Sequence, residues 1–418
     1  MNIMLFAIPV FFLLIGLELL VAKLQNTQLY RVNDAITNIS CGIVQQVTGA
    51  FTKLIGLAAY AFVYYNWRFF DIPNVWWTYI LLFLAVDCLY YWFHRYAHEI
   101  SAFWGTHVVH HQSEDYNLSV ALRQSAFQSL ISAVFYLPLA FLGFDPIPFL
   151  TINILQTLYQ FWIHTETIDK MPKWFEFIFS TPSHHRVHHG RNPQYIDKNH
   201  GGTLIIFDRL FGTFEPEVEP VVYGVTKSLE SCSPIWANFD YYNDLSKEMS
   251  NTPGVGNKLR MLIEKPGWRP QETGGYQAPP PISRAEVTKY NPSIPLGLNY
   301  YILFQYVVVL LGTTGFLASI KGDNLLTLGT ISLATLVILS VSSLGAILDK
   351  RQWAPVSEIL RLIGIPILLW LIFPASQFIL ITTLVMAGIG LLSIIWFLQY
   401  RKTFSSTHLA MDRVLDAN

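Results

Sequence analysis

Charged residues are scarce in this chain. Asp, Glu, Lys and Arg make up 13% of its 418 residues, whereas soluble globular proteins carry about 25%. Hydrophobic residues make up 52%, and the mean hydropathy is +0.37. Because a helix of about 20 apolar residues crosses the hydrocarbon core of a bilayer, this composition predicts an integral membrane protein.

Other absences exclude further classes of function. The three cysteines, Cys41, Cys88 and Cys232, are too scattered for a disulfide framework or a thiolate metal site. The net charge of −1 offers no basic surface for nucleic acid. The sequence has no phosphate-binding loop, dinucleotide fingerprint or nucleophile elbow. His98 and Glu99 are not followed by the second histidine of a zinc-protease motif, which excludes that class.

Long apolar runs predict an all-α, polytopic membrane helix bundle of about nine spans. We expect the spans at about residues 3–22, 42–65, 76–93, 121–143, 146–165, 298–320, 325–348, 357–373 and 376–399. The first run contains Glu18 and lacks the basic start and cleavage site of a signal peptide, so we interpret it as a retained helix. The segment "GFDPIP" predicts a tight turn between the fourth and fifth spans.

The positions of lysine and arginine predict the orientation of this bundle. With nine spans, one side holds Lys23, Arg31, Arg95, Lys350, Arg351, Arg401 and Lys402. The opposite loops then hold Arg68 and Lys321. Since cytoplasmic loops carry the excess of positive charge, residues 94–120 and 166–297 are expected to face the cytoplasm. The membrane would be the endoplasmic reticulum in a eukaryote and the inner membrane in a bacterium.

The chain is expected to divide into four segments. Residues 1–75 hold the first membrane helices, 76–215 a histidine-rich core, 216–296 a cytoplasmic cap or linker, and 297–418 the last membrane helices and the tail. The sequence from 251 to 295 is rich in proline and glycine, which excludes a long helix there.

Histidines are the unusual part of the sequence, with eleven of the twelve between His94 and His200. They form one HxxxH and two HxxHH patterns, with one more at the end of the fifth predicted span: His94 and His98; His107, His110 and His111; His185, His188 and His189; and His164. Neutral imidazole is the commonest biological metal ligand, and a catalytic zinc takes three protein ligands. Eight or nine converging histidines therefore predict two metal ions with open positions, and two irons that react with oxygen fit this count. No role is assigned to His200 or His408.

Acidic residues near the histidines are candidate supports for them. Asp87 precedes His94 by two helical turns on the same face. Since a carboxylate inside a span costs about 2.5–3.5 kcal/mol, we expect Asp87 to bind an imidazole N–H. Glu114 and Asp115 in "SEDYNLSVALRQS" are expected to orient imidazoles as well, and His184 is a further candidate for this supporting role.

Two interpretations of the rest of this stretch remain open. Asn117 to Ser119 would cap the fourth span, as polar residues at a helix start do. Alternatively, Tyr116 and Asn117 would line the entrance for a substrate or cofactor, while Arg123 and Gln124 would meet a lipid headgroup at the membrane boundary. The two interpretations are compatible.

Several segments of the sequence resemble a known superfamily. They are "YYWFHRYAHE", "SEDYNLSVALRQS", "YQFWIHTE", "TPSHHRVHHGRN" and "YIDKNHGGTLIIFDRLFGTF". They are similar to the fatty acid hydroxylases and sterol desaturases, which are membrane non-haem di-iron oxygenases. Within that superfamily they most resemble the branch that cleaves glyceryl ethers with tetrahydrobiopterin and oxygen. The resemblance is densest between Asp87 and Phe214.

The resemblance implies a ligand set and cofactors. The implied metal ligands are His94, His98, His107, His110, His111, His164, His185, His188 and His189. It also implies two iron ions, tetrahydrobiopterin, and a glutamate needed for activity at Glu99; zinc is expected to replace iron in some preparations. The residues that would bind the pterin are not identified. Gln160 stands where some hydroxylases have another histidine, and His200 stands where tyrosine is expected.

The resemblance also implies a reaction. The alkyl carbon next to the ether oxygen of a glyceryl ether lipid would be hydroxylated with O2, and the product would break into a fatty aldehyde and a glycerol product. The expected partners are the ether lipid, O2 and the bilayer, without nucleic acid, and no oligomeric state is predicted.

Two other functions remain open at this point. A related fatty acid or sterol hydroxylase or desaturase would use the same histidines with a different electron donor. A membrane metal-binding or transport protein would use them without oxygen chemistry. Transporters usually bind their substrates near the bilayer midplane, whereas these histidines are predicted at helix ends, which argues against transport.

Overall fold

The computed structural model describes residues 3–320, 325–373 and 376–405 of the chain. Lys321, used in the orientation argument, and His408 lie outside these residues. The described residues form fifteen α-helices, and their only β-bridge pairs Phe179 with Leu204. The prediction of an all-α fold is confirmed.

The helices are numbered in chain order. They are α1 (Ile3–Leu24), α2 (Val32–Trp67), α3 (Trp76–Glu99), α4 (Ser101–His111), α5 (Gln128–Leu142), α6 (Pro146–Trp162), α7 (Lys173–Ile178), α8 (Pro182–His188), α9 (Ile206–Phe211), α10 (Pro234–Asn251), α11 (Val255–Ile263), α12 (Leu296–Ser319), α13 (Leu328–Leu348), α14 (Ala354–Ile372) and α15 (Gln377–Leu398). Between α11 and α12 the chain forms short 3-10 turns and coil, as its proline and glycine content predicts.

Seven of the described helices are long and apolar enough to cross a membrane: α1, α2, α3, α12, α13, α14 and α15. By length and composition they make the chain an integral membrane protein. The fourth and fifth predicted spans correspond to α5 and α6, which have 15 and 17 residues, fewer than the roughly 20 that cross a bilayer. The count by length is therefore seven rather than about nine. Without α5 and α6, no counted span lies between α3 and α12. Residues 94–120 and 166–297 are therefore still expected on the same side of the membrane.

α2 begins at Val32, well before the predicted start of the second span at residue 42. Its first turns are rich in polar residues, which resemble a loop in the sequence. In the structure Asn38 donates to the Ser119 hydroxyl at 3.0 Å, and the Ser113 hydroxyl donates to Asp34 at 2.7 Å. These helix residues have hydrogen-bond partners inside the protein, so their burial is tolerated.

The described residues form two compact units. The first combines the chain up to Gln45 with Phe51–Leu229 and Ala237–Tyr290, and the second combines Gln46–Ala50, Glu230–Trp236 and the chain from Asn291. The division into four segments stays a prediction.

An apolar core in the first unit joins α2, α3, α5 and α6. Tyr60 of α2 stacks on Phe149 of α6, with 4.2 Å between the ring centroids. Leu82 of α3 and Leu139 of α5 are buried in the same cluster. This packing holds α3, whose last turns carry His94 and His98, against α6, the helix that leads to His164.

The turn between α5 and α6 occupies the predicted "GFDPIP" segment. Gly143 ends α5 with φ +100°, a left-handed conformation that favours glycine. A Cβ at this position would overlap the Phe70 carbonyl oxygen. Asp145 then caps α6 by accepting the Ile147 N–H at 2.8 Å.

A buried polar network ties the four helices of the second unit together. Arg361 of α14 donates to both carboxylate oxygens of Glu358, at 2.6 and 2.9 Å, and to the Gln305 side chain of α12 at 2.7 Å. Glu358 also accepts the Ser343 hydroxyl of α13, and Gln305 donates to Ser393 of α15. All of these side chains are buried. The charges are tolerated inside an apolar bundle because each one has its partner.

Replacing Arg361 alone is expected to destabilise the second unit strongly. Arg361→Met leaves the buried Glu358 carboxylate unpaired, which costs about 3–5 kcal/mol. Adding Glu358→Gln removes that uncompensated charge and should recover most of the loss. Thermal unfolding of both variants in detergent measures the difference, and a double variant as unstable as the single one would contradict this explanation.

Candidate metal centre

Nine buried histidines of the first unit form two groups. One contains His94, His98, His107, His111 and His188, and the other contains His110, His164, His185 and His189. Within each group the ligand atoms all lie within 4.8 Å of one another. These are the nine histidines predicted as ligands, and the structure brings all of them together.

The ends of helices carry these histidines. His94 and His98 lie on the last two turns of α3, which continues beyond the predicted span and places both on one face. α4 and α8 are short helices of 11 and 7 residues that carry the HxxHH patterns. The pattern of α4 ends at its last residue, His111, and that of α8 ends at His189, which directly follows the helix. His164 follows the end of α6.

Each HxxHH pattern is divided between the two groups. His107 and His111 of α4 lie four residues apart and enter the five-histidine group, whereas His110 enters the four-histidine group. In the α8 pattern the division is reversed, and only His188 enters the five-histidine group. Successive helical residues point about 100° apart. Adjacent histidines therefore reach different groups, while those four apart share one.

The ring nitrogens face one another at the spacing that a shared ion requires. In the five-histidine group, Nε2 of His107 lies 3.0 Å from Nε2 of His94 and 3.1 Å from Nε2 of His111. In the four-histidine group, the Nε2 atoms of His164 and His185 lie 3.0 Å apart. Two nitrogens that each lie about 2.1 Å from one ion, at right angles, are about 3.0 Å apart. The two donor sets therefore fit two metal ions.

Nδ1, the other ring nitrogen, meets an oxygen in five of these histidines. The pairs are His94 with the His200 carbonyl (2.8 Å), His107 with the Gln128 side chain (2.8 Å), His110 with the Arg123 carbonyl (2.9 Å), His164 with the Gln160 carbonyl (2.7 Å) and His188 with the Lys198 carbonyl (3.0 Å). A carbonyl oxygen can only accept, so Nδ1 donates its proton. Nε2 then keeps a lone pair for a metal.

Burial keeps these imidazoles uncharged. It lowers the pKa of His107 and of His164 to about 4. The pKa of His110 is lowered by burial first and then by the neighbouring His164. At neutral pH the rings are therefore in the form that binds metal.

The loop from 197 to 202 supplies two of the oxygens that orient imidazoles, and sequence reasoning gave it no such role. Asp197 and Asn199 adopt φ of +56° and +54°, a left-handed region that Asp and Asn tolerate better than most residues. The loop aims the Lys198 and His200 carbonyls at the five-histidine group. It also places the Asp197 carboxylate 3.9 Å from Nδ1 of His98. The available signal was "DKNHGG", whose composition is typical of a turn.

Asp87 holds the backbone beside this loop and does not bind an imidazole as predicted. Its carboxylate accepts the N–H groups of Thr203 and Leu204 at 2.9 and 2.8 Å. Two backbone donors satisfy the buried charge in place of a histidine. Asp208 of α9 supports the loop in the same way, because it accepts the His200 N–H at 2.7 Å.

Arg123 is buried inside the first unit, which corrects its predicted place at a lipid headgroup. Its guanidinium donates to the Val109 carbonyl at 2.7 Å and to the Asn38 side chain at 3.0 Å. Its own carbonyl accepts Nδ1–H of His110. The stretch "SEDYNLSVALRQS" is thus a connection that fixes α2, α4 and one imidazole together. It does not cap the fourth predicted span, because α5 begins at Gln128.

Glu114 and Asp115 bind cations and a backbone N–H, which corrects the prediction that they orient imidazoles. Asp115 pairs with Arg31 at 2.9 Å and with Lys289 at 2.6 Å. Glu114 accepts the Tyr290 N–H at 2.6 Å. The two carboxylates therefore anchor Lys289 and Tyr290, the last residues of the first unit, to the rest of that unit.

Tyr116 lies against the four-histidine group. Its ring centroid is 5.2 Å from that of His189, and it stacks on Tyr223 at 4.8 Å. Its hydroxyl donates to the Ile163 carbonyl at 3.1 Å. A buried ring of this kind forms a wall of the site.

Glu99 and His184 lie near the groups but outside both. Glu99 ends α3, pairs with Arg95 at 3.3 Å and lies 3.8 Å from Nζ of Lys265. The ring of His184 packs 5.5 Å from that of Phe214. His184 is buried but belongs to neither donor set, so its predicted support of a ligand imidazole stays a prediction.

Glu18 is a buried carboxylate of α1 that sequence reasoning used only against a signal peptide. It accepts the Leu118 N–H at 2.8 Å and the hydroxyls of Tyr30 and Thr165. Thr165 follows His164 in the chain, so Glu18 fixes the backbone beside a candidate ligand. The signal available in the sequence was a carboxylate within an apolar helix. Such a group is costly to bury and therefore needs hydrogen-bond partners.

Comparison with known proteins covers this region and most of the chain. Residues 79–213 match the fatty acid hydroxylase family profile. The chain is 40% identical to an alkylglycerol monooxygenase of Danio rerio, over 90% of this chain and 87% of that protein. It is 40% identical to an alkylglycerol monooxygenase of Homo sapiens, over 85% and 80%. An ornithine lipid hydroxylase of Rhizobium tropici is 33% identical over 31% of this chain and 39% of its own. No solved structure matches the chain significantly.

The two groups are expected to lose metal independently. His110→Ala removes a donor from the four-histidine group, and His98→Ala removes one from the five-histidine group. Each should halve the metal content of the purified, iron-loaded protein, because the other group stays intact. Elemental analysis measures this, with His408→Ala as the control. Full metal content in His110→Ala would contradict the grouping.

Proposed function

We infer that this chain, which belongs to the alkylglycerol monooxygenase family, is a membrane monooxygenase of glyceryl ether lipids. The observation that carries the inference is the pair of buried histidine groups within the region that matches the fatty acid hydroxylases. Seven apolar helices place this centre in a membrane protein, where an ether lipid is available as substrate.

The reaction we propose is hydroxylation of the alkyl carbon next to the ether oxygen. One oxygen atom of O2 enters that C–H bond, and the other leaves as water with two electrons and two protons from a reductant. The resulting hemiacetal breaks at the bond to the ether oxygen. The products are a fatty aldehyde and a glycerol hydroxyl.

We propose that the two histidine groups hold two iron ions, five donors around one and four around the other. Imidazole suits iron and also zinc, so zinc can replace iron in an isolated protein. When bound, iron supplies the activation of O2 that insertion into a C–H bond requires. The donor set supports this proposal because it consists of neutral nitrogen atoms at ligand spacing.

The protein's own residues prepare the site for this chemistry. The Arg123 carbonyl holds Nδ1 of His110, and the His200 carbonyl holds Nδ1 of His94, so ring orientation and tautomer are set in advance. All nine histidines are at most 7% exposed. Exclusion of water protects a reactive oxidant from side reactions.

We propose that Glu99 acts on the five-histidine group through a chain of charges. Glu99 lies 3.8 Å from Lys265, which pairs with Asp197 at 3.1 Å, and Asp197 lies 3.9 Å from Nδ1 of His98. Because its carboxylate acts through Lys265 and Asp197, Glu99 is a positioning residue rather than a group that meets the substrate.

We also propose tetrahydrobiopterin as the reductant and a cytoplasmic location for the histidine groups. The pterin is supported by the resemblance of the histidine segments to the pterin-dependent branch. The location is supported by the excess of lysine and arginine on one side of the spans. The membrane is the endoplasmic reticulum or, in a bacterium, the inner membrane.

Aldehyde release from an alkylglycerol tests the proposed reaction. Purified, iron-loaded protein should release fatty aldehyde that requires both tetrahydrobiopterin and O2, measured by trapping the aldehyde. His110→Ala is the control and should release none. If iron-containing protein releases no aldehyde but hydroxylates a fatty acid or sterol with another electron donor, the related hydroxylase function is correct instead.

Replacing Glu99 is expected to slow the reaction without removing metal. Glu99→Gln should lower kcat/KM about 10–100-fold, the usual effect of a residue that orients a metal site from outside. Glu264→Gln is the matched control, because Glu264 directly follows α11 and, like Glu99, pairs with an arginine four residues earlier, Arg260, at 2.8 Å. Equal rates for the two variants would refute the proposed role.

A further inference from the structure

His200 is a buried histidine whose ring has no hydrogen-bond partner. The residue is 0% exposed, and both ring nitrogens are unpaired within the part of the chain that the structure describes. Burial lowers the pKa of the ring to about 3, against a smaller opposite effect of the nearby Asp197 carbonyl, and that carbonyl meets neither nitrogen in hydrogen-bonding geometry. A buried polar group left unpaired destabilises the folded protein. Such a ring indicates a partner that is not a protein atom.

The ring lies against the five-histidine group. Its centroid is 5.2 Å from that of His98, 5.6 Å from His188 and 5.7 Å from His94. Among the ring pairs in contact within the group, centroid distances range from 4.3 Å, for His94 and His188, to 6.4 Å, for His107 and His188. His200 thus packs as closely as the members do. Its nitrogens are nevertheless outside the donor set that lies within 4.8 Å, so His200 borders the set.

The main chain fixes this ring in place. The His200 N–H donates to Asp208 at 2.7 Å, and the His200 carbonyl accepts Nδ1–H of His94 at 2.8 Å. The backbone of the preceding residue, Asn199, adopts a left-handed conformation, and its N–H donates to the Thr213 carbonyl at 3.0 Å. The backbone that carries the side chain is therefore fixed, and the fully buried ring lies beside the five-histidine group.

We propose that His200 hydrogen-bonds the exchangeable, non-protein ligand of the metal ion in the five-histidine group. That ligand is water or a small anion or oxygen species that replaces it. A neutral imidazole carries one N–H donor and one acceptor nitrogen, and either can serve such a ligand. The inference rests on the proposed metal centre. His200 is then a positioning residue that orients what occupies the open position.

Two other roles predict different behaviour. As a further metal ligand, His200 would be needed to retain the metal. As a packing residue, it would be replaceable by an apolar side chain of similar size without any effect on small ligands. Metal content and small-anion affinity together separate these three roles.

Azide titration of the full-length, ferric-loaded protein tests the proposal, followed by the absorption of the iron–azide complex. His200→Leu removes both ring nitrogens at similar volume, and His200→Gln restores an N–H donor. Both variants should keep the wild-type iron content. Azide should bind about tenfold more weakly to His200→Leu, a usual effect of losing a hydrogen bond beside a metal. His200→Gln should regain most of the affinity.

Two results would overturn the proposal. Loss of half the iron in both variants, as expected for His98→Ala, would make His200 a ligand. Wild-type azide affinity in His200→Leu would make it a packing residue. If His200→Leu does not fold, His200→Phe, which is planar like histidine, takes its place. A wild-type protein that binds no iron is a separate outcome, because it would refute the metal centre itself.

Discussion

The burial of nine uncharged imidazoles is the constraint on which the first unit depends. Every buried ring nitrogen needs a hydrogen bond or a metal, because an unpaired one costs about 1–3 kcal/mol. For five of the nine, the structure meets this need by turning Nε2 toward the other imidazoles and giving Nδ1 an oxygen, which is a backbone carbonyl in four cases and the Gln128 side chain in one. The buried guanidinium of Arg123 and the carboxylates of Asp87 and Asp208 then hold the segments that carry those carbonyls.

Helical geometry distributes the histidines between two donor sets that lie side by side. Adjacent residues of each HxxHH pattern enter different groups, and the two groups therefore contact each other through imidazole rings. His111 of one group and His189 of the other stack with 4.4 Å between their centroids. Two ions held in these groups would be close neighbours, and an arrangement of this kind suits the reduction of O2, which needs more than one electron. The ether lipid monooxygenase function rests on the similarity of the chain to the alkylglycerol monooxygenases, and the paired histidine groups are the part of the structure that suits its oxygen chemistry.

The sequence predicted the all-α class and the nine histidines of the two groups, because histidine spacing and apolar runs are local signals. It could not predict the contacts of the acidic residues near those histidines. Asp87 and Asp115 bind backbone N–H groups or cations that lie far away in the chain. The start of α2 was misplaced for the same reason, since Asn38 is polar in the sequence but has a partner in Ser119. Apolar content predicts spans at 121–143 and 146–165, but the stretch before Gln128 is mostly coil and α6 ends at Trp162, so both helices are shorter than the apolar runs.

The loop from 197 to 202 orients two imidazoles through main-chain oxygens, those of Lys198 and His200. Every amino acid carries the same carbonyl, so the side chain at 198 can change without altering its contact with His188. What must persist is the path of the backbone, set by the left-handed residues Asp197 and Asn199. A comparison of sequences would therefore find little to mark position 198 as part of the site. An engineer who grafts this centre onto another scaffold would need to transfer the turn together with the histidines.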